Sequence, residues 1–122
     1  MSDYTPVYTP GQTVSFTASA AVVGGTLVEV TSSGSVGPAG AASVKALGIA
    51  AFDAAAGSRV TVHIGKVVHE VIGATAIVAG DPLQAAANGQ VTQYVGTNGA
   101  AAFIGYALLS AAAGAKTQYV SR

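Results

Sequence analysis

The chain is 122 residues long, with five basic and five acidic side chains and neither cysteine nor tryptophan, and its length suits one modest core. A charged fraction of 8%, against about 25% in ordinary soluble domains, at zero net charge excludes an electrostatic footprint for nucleic acid or an anionic membrane, and the lack of cysteine excludes disulfides and thiolate chemistry. Ala and Gly make up about a third of the residues, so the core is thin at roughly 25 cal/mol per Å² of buried apolar surface, and either a partner covers much of the surface or Thr, Ser, Gln and Asn keep it soluble.

Residues 1–12 carry Tyr4, Pro6, Val7, Tyr8 and Pro10. Each proline pushes the residue before it toward extended geometry, so this stretch is predicted to be an extended N-terminal arm ahead of a single β domain over residues 13–122. The two tyrosines have no obvious place in a core, which makes these five residues candidate interface positions on a neighbouring subunit; the alternative is a frayed terminus. The first residues show no basic and apolar signal pattern, and the weakly polar run Ala100 to Ala113 is too short to span a membrane. Synthesis in the cytoplasm, with no membrane partner, is the expectation.

Thr13 to Ala18 alternates as a strand, with Val14 and Phe16 on one face. Gly24-Gly25 turns the chain into a second strand, Thr26 to Thr31. The Ser/Gly/Pro segment Ser32 to Gly40 reads as a loop with a short edge strand around Val36. Ala46 to Phe52 and Arg59 to Ile64 follow as strands, and Gly65-Lys66 reads as a hairpin turn into Lys66 to Ile72. After the turn signal Ala79-Gly80-Asp81-Pro82, a short strand Leu83 to Ala86 leads to Asn88-Gly89. Both of these residues tolerate the positive φ of a type I′ hairpin returning through Gln90 to Val95. Short strands between turn signals, without a long amphipathic helical pattern, point to an all-β sandwich or small barrel.

One stretch occurs twice. Leu47 to Val62 aligns without a gap on Ile104 to Tyr119: Gly48 meets Gly105, Ala54-Ala55-Ala56-Gly57 meets Ala111-Ala112-Ala113-Gly114, and Arg59 meets Lys116. Each copy reads as strand, tight connection, strand. Ala favours helix, and Asp53 or Ser110 suits the cap of a single helical turn ended by Gly57 or Gly114.

Candidate chemistry is sparse. If Gly65-Lys66 forms the turn, Ile64 pairs with Val67 and His63 with Val68, placing His63 and His69 on opposite sheet faces and disfavouring a two-His metal site. Asp3, Glu29, Asp53, Glu70 and Asp81 are scattered, with Asp53 expected to cap its own turn and Asp81 to start the Asp-Pro turn. No nucleophile elbow or phosphate loop is present. These residues indicate no enzyme, no catalytic or metal site and no cofactor.

The segments Gly80-Asp81-Pro82-Leu83, Asn88-Gly89-Gln90-Val91-Thr92, Ile104-Gly105-Tyr106-Ala107-Leu108 and Ala111-Ala112-Ala113-Gly114 resemble the tailed-bacteriophage capsid decoration, or cement, proteins. In the first half Gly25 to Val30, Gly48-Ile49-Ala50, Asp53 to Gly57 and Val60-Thr61-Val62 are similar too, so the likeness covers roughly residues 13 to 121. The Pro/Tyr-rich arm and the loop 32–40 depart from the pattern. The resemblance implies a small β-sandwich or barrel, β-tulip-like, built from two related strand-turn-strand units. It also implies a structural protein on the outer surface of an icosahedral phage head, its partners being the major capsid protein and itself, as homotrimers at three-fold and quasi-three-fold positions. There it would clamp capsid subunits together. The alternative is a non-catalytic β module on a phage particle that recognises carbohydrate or a cell surface, against which the low aromatic content weighs.

Overall fold

A computed structural model describes residues 13–64, 68–97 and 99–121. The described chain is all-β, with strands β1 (Thr13–Ala18), β2 (Leu27–Ser32), β3 (Ser35–Pro38), β4 (Ala46–Ala50), β5 (Arg59–His63), β6 (Val68–Ile72), β7 (Pro82–Ala85), β8 (Val91–Gln93), β9 (Phe103–Ala107) and β10 (Lys116–Ser121). The strands are short because Gly-bearing turns interrupt the alternating runs every few residues.

β1 to β5 form a closed barrel in the order β1-β3-β2-β4-β5, and β6 to β10 form a sheet in the order β6-β10-β9-β7-β8. Written from the β2–β3 hairpin, the first order is β3-β2-β4-β5-β1. From the β7–β8 hairpin, the second is β8-β7-β9-β10-β6, so the two halves share one topology. The closing contact is shared as well: Ala18 pairs in parallel with Val36, and Gly73 with Val91. The first half closes through a β1–β3 ladder and the second through that one bridge. The duplication seen between residues 47–62 and 104–119 is therefore the later part of a repeat that covers both five-stranded halves.

Two sequence expectations change here. β3 is not an edge strand, because it pairs with β2 on one side and β1 on the other. Nor do β5 and β6 make a hairpin ladder. β5 has β1 and β4 as its neighbours, with His63 opposite Thr13 and Ile49 and not Val68, while β6 pairs with β10, so His69 lies opposite Tyr119. Both edges of β5 are consumed by closing the barrel. The proposed turn residues Gly65-Lys66 lie outside the described residues. The Asn88-Gly89 hairpin stands as read: the two residues take φ of 63° and 71° within a tight turn, and β8 returns along β7 with Ala85 opposite Val91.

Each half has its own interior. Ala18, Val22, Val28, Val36, Ala50, Val60 and Val62 fill the first barrel. The second core comprises Val71, Ile77, Leu83, Ala85, Val91, Ala107 and Tyr119, joined by Leu27, Ala39 and Ile49 from the first half. Larger side chains stand at matching places in the second half, with Leu83 for Val28, Ile77 for Val22 and Tyr119 for Val62. Each fully buried Val, Ile or Leu contributes about 1.5–3 kcal/mol, so the shared core is also what fastens the halves together. Backbone bonds reinforce it: Ala42 N–H donates to the Ala85 carbonyl at 2.8 Å and Gly89 N–H to the Ala39 carbonyl at 3.1 Å.

Candidate interaction surfaces

The loop joining β1 to β2 lies against the loop joining β4 to β5. Val22 and Ala54 exchange both backbone hydrogen bonds, at 2.8 and 2.9 Å, and Gly25 N–H donates to the Ala50 carbonyl at 2.8 Å. The second half repeats this bond for bond. Ile77 and Ala111 exchange theirs at 2.8 and 2.9 Å, and Gly80 N–H donates to Ala107 at 2.7 Å.

Within each Ala-rich loop the turn is a β-turn and not a helical one. Ser58 N–H donates to the Ala55 carbonyl and Ala115 N–H to the Ala112 carbonyl, both at 3.0 Å. Gly57 and Gly114 supply the positive φ, 86° and 82°, that the third turn position requires. Asp53 does not cap its own turn; its Oδ1 accepts from Gly24 N–H across the loop pair. Ser110 likewise serves the opposite loop, accepting from Ala79 N–H. Asp81 does close its local turn, with Oδ2 accepting from Val78 N–H at 3.0 Å.

These braced loops carry apolar tips at matching positions. Val23 and Phe52 are exposed in the first half, and Val78 and Leu109, with Leu108 beside it, in the second. Such side chains on fixed, hydrogen-bonded loops suit contact with another protein, since binding orders little new backbone. The arm residues Tyr4, Pro6, Val7, Tyr8 and Pro10 lie outside the described residues.

A third apolar surface escaped the sequence reading. Tyr94, Phe103 and Tyr106 come from two separate segments of the second half and meet edge to face, with centroids 5.8 Å apart for Tyr94–Phe103 and 5.0 Å for Phe103–Tyr106. With Pro82 and Ala100 they line an open cleft of about 280 Å³. The Tyr94 hydroxyl donates to the Gly99 carbonyl at 3.1 Å, which fixes the loop beneath the ring. A second hollow, of about 180 Å³, lies between the halves, with Leu27, Ala46, Ala101 and Phe103 among its walls. Phe103 thus borders both.

Polar groups play a supporting part. Burial raises the Glu29 carboxyl, but hydrogen bonds from Gly40 N–H and the Ser43 hydroxyl, with the Lys45 charge, outweigh it and hold the group below its ordinary range. Burial, with the nearby His63, lowers the His69 pKa, and its ring lies against Tyr119 at 5.5 Å. Burial pushes the Tyr119 phenol up. The exposed Lys116–Glu70 pair, 3.5 Å apart, contributes between nothing and about 1 kcal/mol. Among the described residues no three of His, Cys, Asp and Glu come together as metal ligands. What the geometry offers is docking surface.

The family model described as phage cement protein matches residues 8–122. No curated protein matches the chain. Among solved structures, the N base of head fiber gp8.5 of bacteriophage phi29 is similar in fold, with a TM-score of 0.73 at 18% identity over 91% of this chain and 93% of that one.

Proposed function

The chain belongs to the phage cement protein family, a structural, capsid-associated group, and from that premise we propose that it binds the outer surface of an icosahedral head and stabilises contacts between major capsid protein subunits. It does so as a homotrimer at three-fold and quasi-three-fold positions. The observation that carries this reading is the pair of braced loop tips, Val23 with Phe52 and Val78 with Leu108 and Leu109, which offers the same kind of apolar contact twice from one rigid body. A surface so poor in charge suits a fixed assembly better than a free protein. Many copies on one shell multiply a small energy per contact.

The second reading, carbohydrate recognition, would have to use the aromatic cleft. Among the described residues its walls, Pro82, Tyr94, Ala100, Phe103 and Tyr106, include no carboxylate or amide side chain to bind sugar hydroxyls, and its rings meet edge to face instead of forming a flat stacking platform. These features support a protein partner. The deciding experiment adds purified protein to capsids that lack it. Uptake at a fixed number of copies per capsid, with a raised capsid melting temperature, is the expected result. Failure to bind, together with saturable binding to glycans, would overturn the proposal in favour of the second reading.

A further inference from the structure

Both asparagines of the chain are followed by glycine, as Asn88-Gly89 and Asn98-Gly99. An Asn-Gly pair carries a covalent chemistry of its own. The glycine backbone nitrogen attacks the asparagine Cγ: an N–Cγ bond forms, the Cγ–Nδ2 bond breaks, and ammonia leaves with the proton of the glycine N–H. Water then opens the five-membered imide at either carbonyl, giving aspartate or an isoaspartate whose main chain runs through Cβ and is one methylene longer. Glycine favours the ring closure because it has no Cβ to crowd the attacking nitrogen.

The turn at Asn88 leaves the side chain in water but forbids the reaction. Asn88 is exposed and Gly89 is buried. Closing the ring requires the Gly89 nitrogen to eclipse Asn88 Cβ about the Cα–C bond, whereas at the ψ of 30° found here the two stand nearly trans. The peptide unit must therefore swing through most of a half-turn, and Gly89 is not free to follow. Its N–H donates to the Ala39 carbonyl at 3.1 Å. It also lies so close to the first half that an added Cβ would come within 2.7 Å of the Leu27 carbonyl oxygen and 2.8 Å of Thr26 Cβ. The imide nitrogen, moreover, carries no hydrogen, so the ring and the bond to Ala39 exclude each other.

We infer that Asn88 is a deamidation site gated by the joint between the two halves, reacting only in molecules whose joint has opened. Its rate in the folded protein is then the rate of the unfolded chain multiplied by the fraction of time the joint is open. The isoaspartate product keeps a record of each opening. Its extra methylene displaces the Gly89 N–H from Ala39 where the Leu27 carbonyl leaves no room to adjust, so a joint that has opened and reacted closes less well than before.

The test incubates the full chain in mildly alkaline buffer, folded and in urea, and follows Asn88 by peptide mapping with mass spectrometry. Asn98 in the urea sample serves as the second Asn-Gly reference. Asn88 should react at least about tenfold more slowly in the folded protein than in urea. Leu27→Ala takes a side chain out of the core shared by the halves but keeps the turn and the carbonyl beside Gly89. It should speed the folded-state reaction by about tenfold and leave the rate in urea unchanged. Ile49→Val, a smaller loss from the same core, replaces it if circular dichroism shows Leu27→Ala to be unfolded. Two results would overturn the inference: a folded wild type in which Asn88 reacts less than about tenfold more slowly than in urea, or a core variant, destabilised by urea unfolding, whose Asn88 reacts as slowly as that of the wild type.

Discussion

Asp53 and Ser110 hold the same post in the two halves of the molecule. Asp53 Oδ1 accepts from Gly24 N–H at 2.7 Å, and Ser110 Oγ accepts from Ala79 N–H at 3.0 Å. Each ties the loop that follows the first strand of its half to the loop before the last. The requirement at this position is an acceptor of short reach, not a charge. Asp53→Ala should therefore cost about 1 kcal/mol, the ordinary net worth of one such bond, while Asp53→Ser should stay within about 0.5 kcal/mol of the wild type because the other half already works with serine. Urea unfolding of the two variants checks this; equal losses would show that the charge matters.

Gly48 and Gly105 also correspond, for a steric reason. A Cβ on Gly48 would overlap the His63 carbonyl oxygen of β5, and one on Gly105 would overlap the Val120 carbonyl oxygen of β10. Neither neighbour is the movable end of a side chain, so the strands themselves must part. Gly48→Ala and Gly105→Ala should each cost about 2–3 kcal/mol. Gly105→Ala should be the worse of the two, since Gly105 adds a φ of 156° that L residues rarely adopt. Gly40→Ala, with open space around its Cα, should change the midpoint of urea unfolding little.

The histidine against Tyr119 makes stability depend on pH. Folding lowers the His69 pKa from its ordinary 6.5, first through burial and then through His63. Below 6.5 the unfolded chain thus takes up a proton that the folded chain resists. The stabilisation is complete above pH 6.5 and is lost as pH falls from there through the folded value. Thermal unfolding followed at pH 7.5 and 5.5 should show a lower midpoint at the acid end, with most of the difference gone in His69→Phe. This window lies above the range in which Glu29, whose carboxyl is held low, takes up its own proton. A drop of equal size in the variant would assign the dependence elsewhere.

What could be read before folding was whatever the chain states locally or repeats. The Gly48/Gly105 and Ala-Ala-Ala-Gly matches marked two equivalent units, and Asn88-Gly89 marked its turn, because positive φ is a demand on single residues. The parallel β1–β3 closure was not legible, since it joins Thr17 to Ser35 and Ala18 to Val36 through a Ser/Gly/Pro segment whose composition looks like loop. The supposed β5–β6 hairpin failed for the opposite reason. Turn residues favour pairing of neighbours in sequence, but β5 had already been claimed on both edges by β1 and β4. The aromatic cleft draws on Tyr94, Phe103 and Tyr106, which share no local pattern. A trace of it was present in the repeat, for the alignment sets Phe103 and Tyr106 opposite Ala46 and Ile49, and a two-residue gap before them sets Tyr94 opposite Ala39.

Attachment to the capsid gives the last prediction. The tips Val78 and Leu109 are exposed, at 61% and 48%, and stand on loops held by the Ile77–Ala111 exchange and by Thr117 Oγ1, which donates to the Leu109 carbonyl at 2.6 Å. Val78→Asp with Leu109→Asp should leave the strands intact, because neither side chain belongs to a core cluster. Desolvating two carboxylates against a protein surface is costly, however, and retention on capsids should fall at least tenfold. Deletion of residues 2–10, which removes none of the described strands, should also preserve the β circular dichroism spectrum and weaken retention. Copy number per capsid after a wash is the measurement for both. If the deletion releases the protein while the tip variant stays bound, the arm supplies the anchoring and the tips do not; if occupancy is unchanged in both, attachment runs through another face.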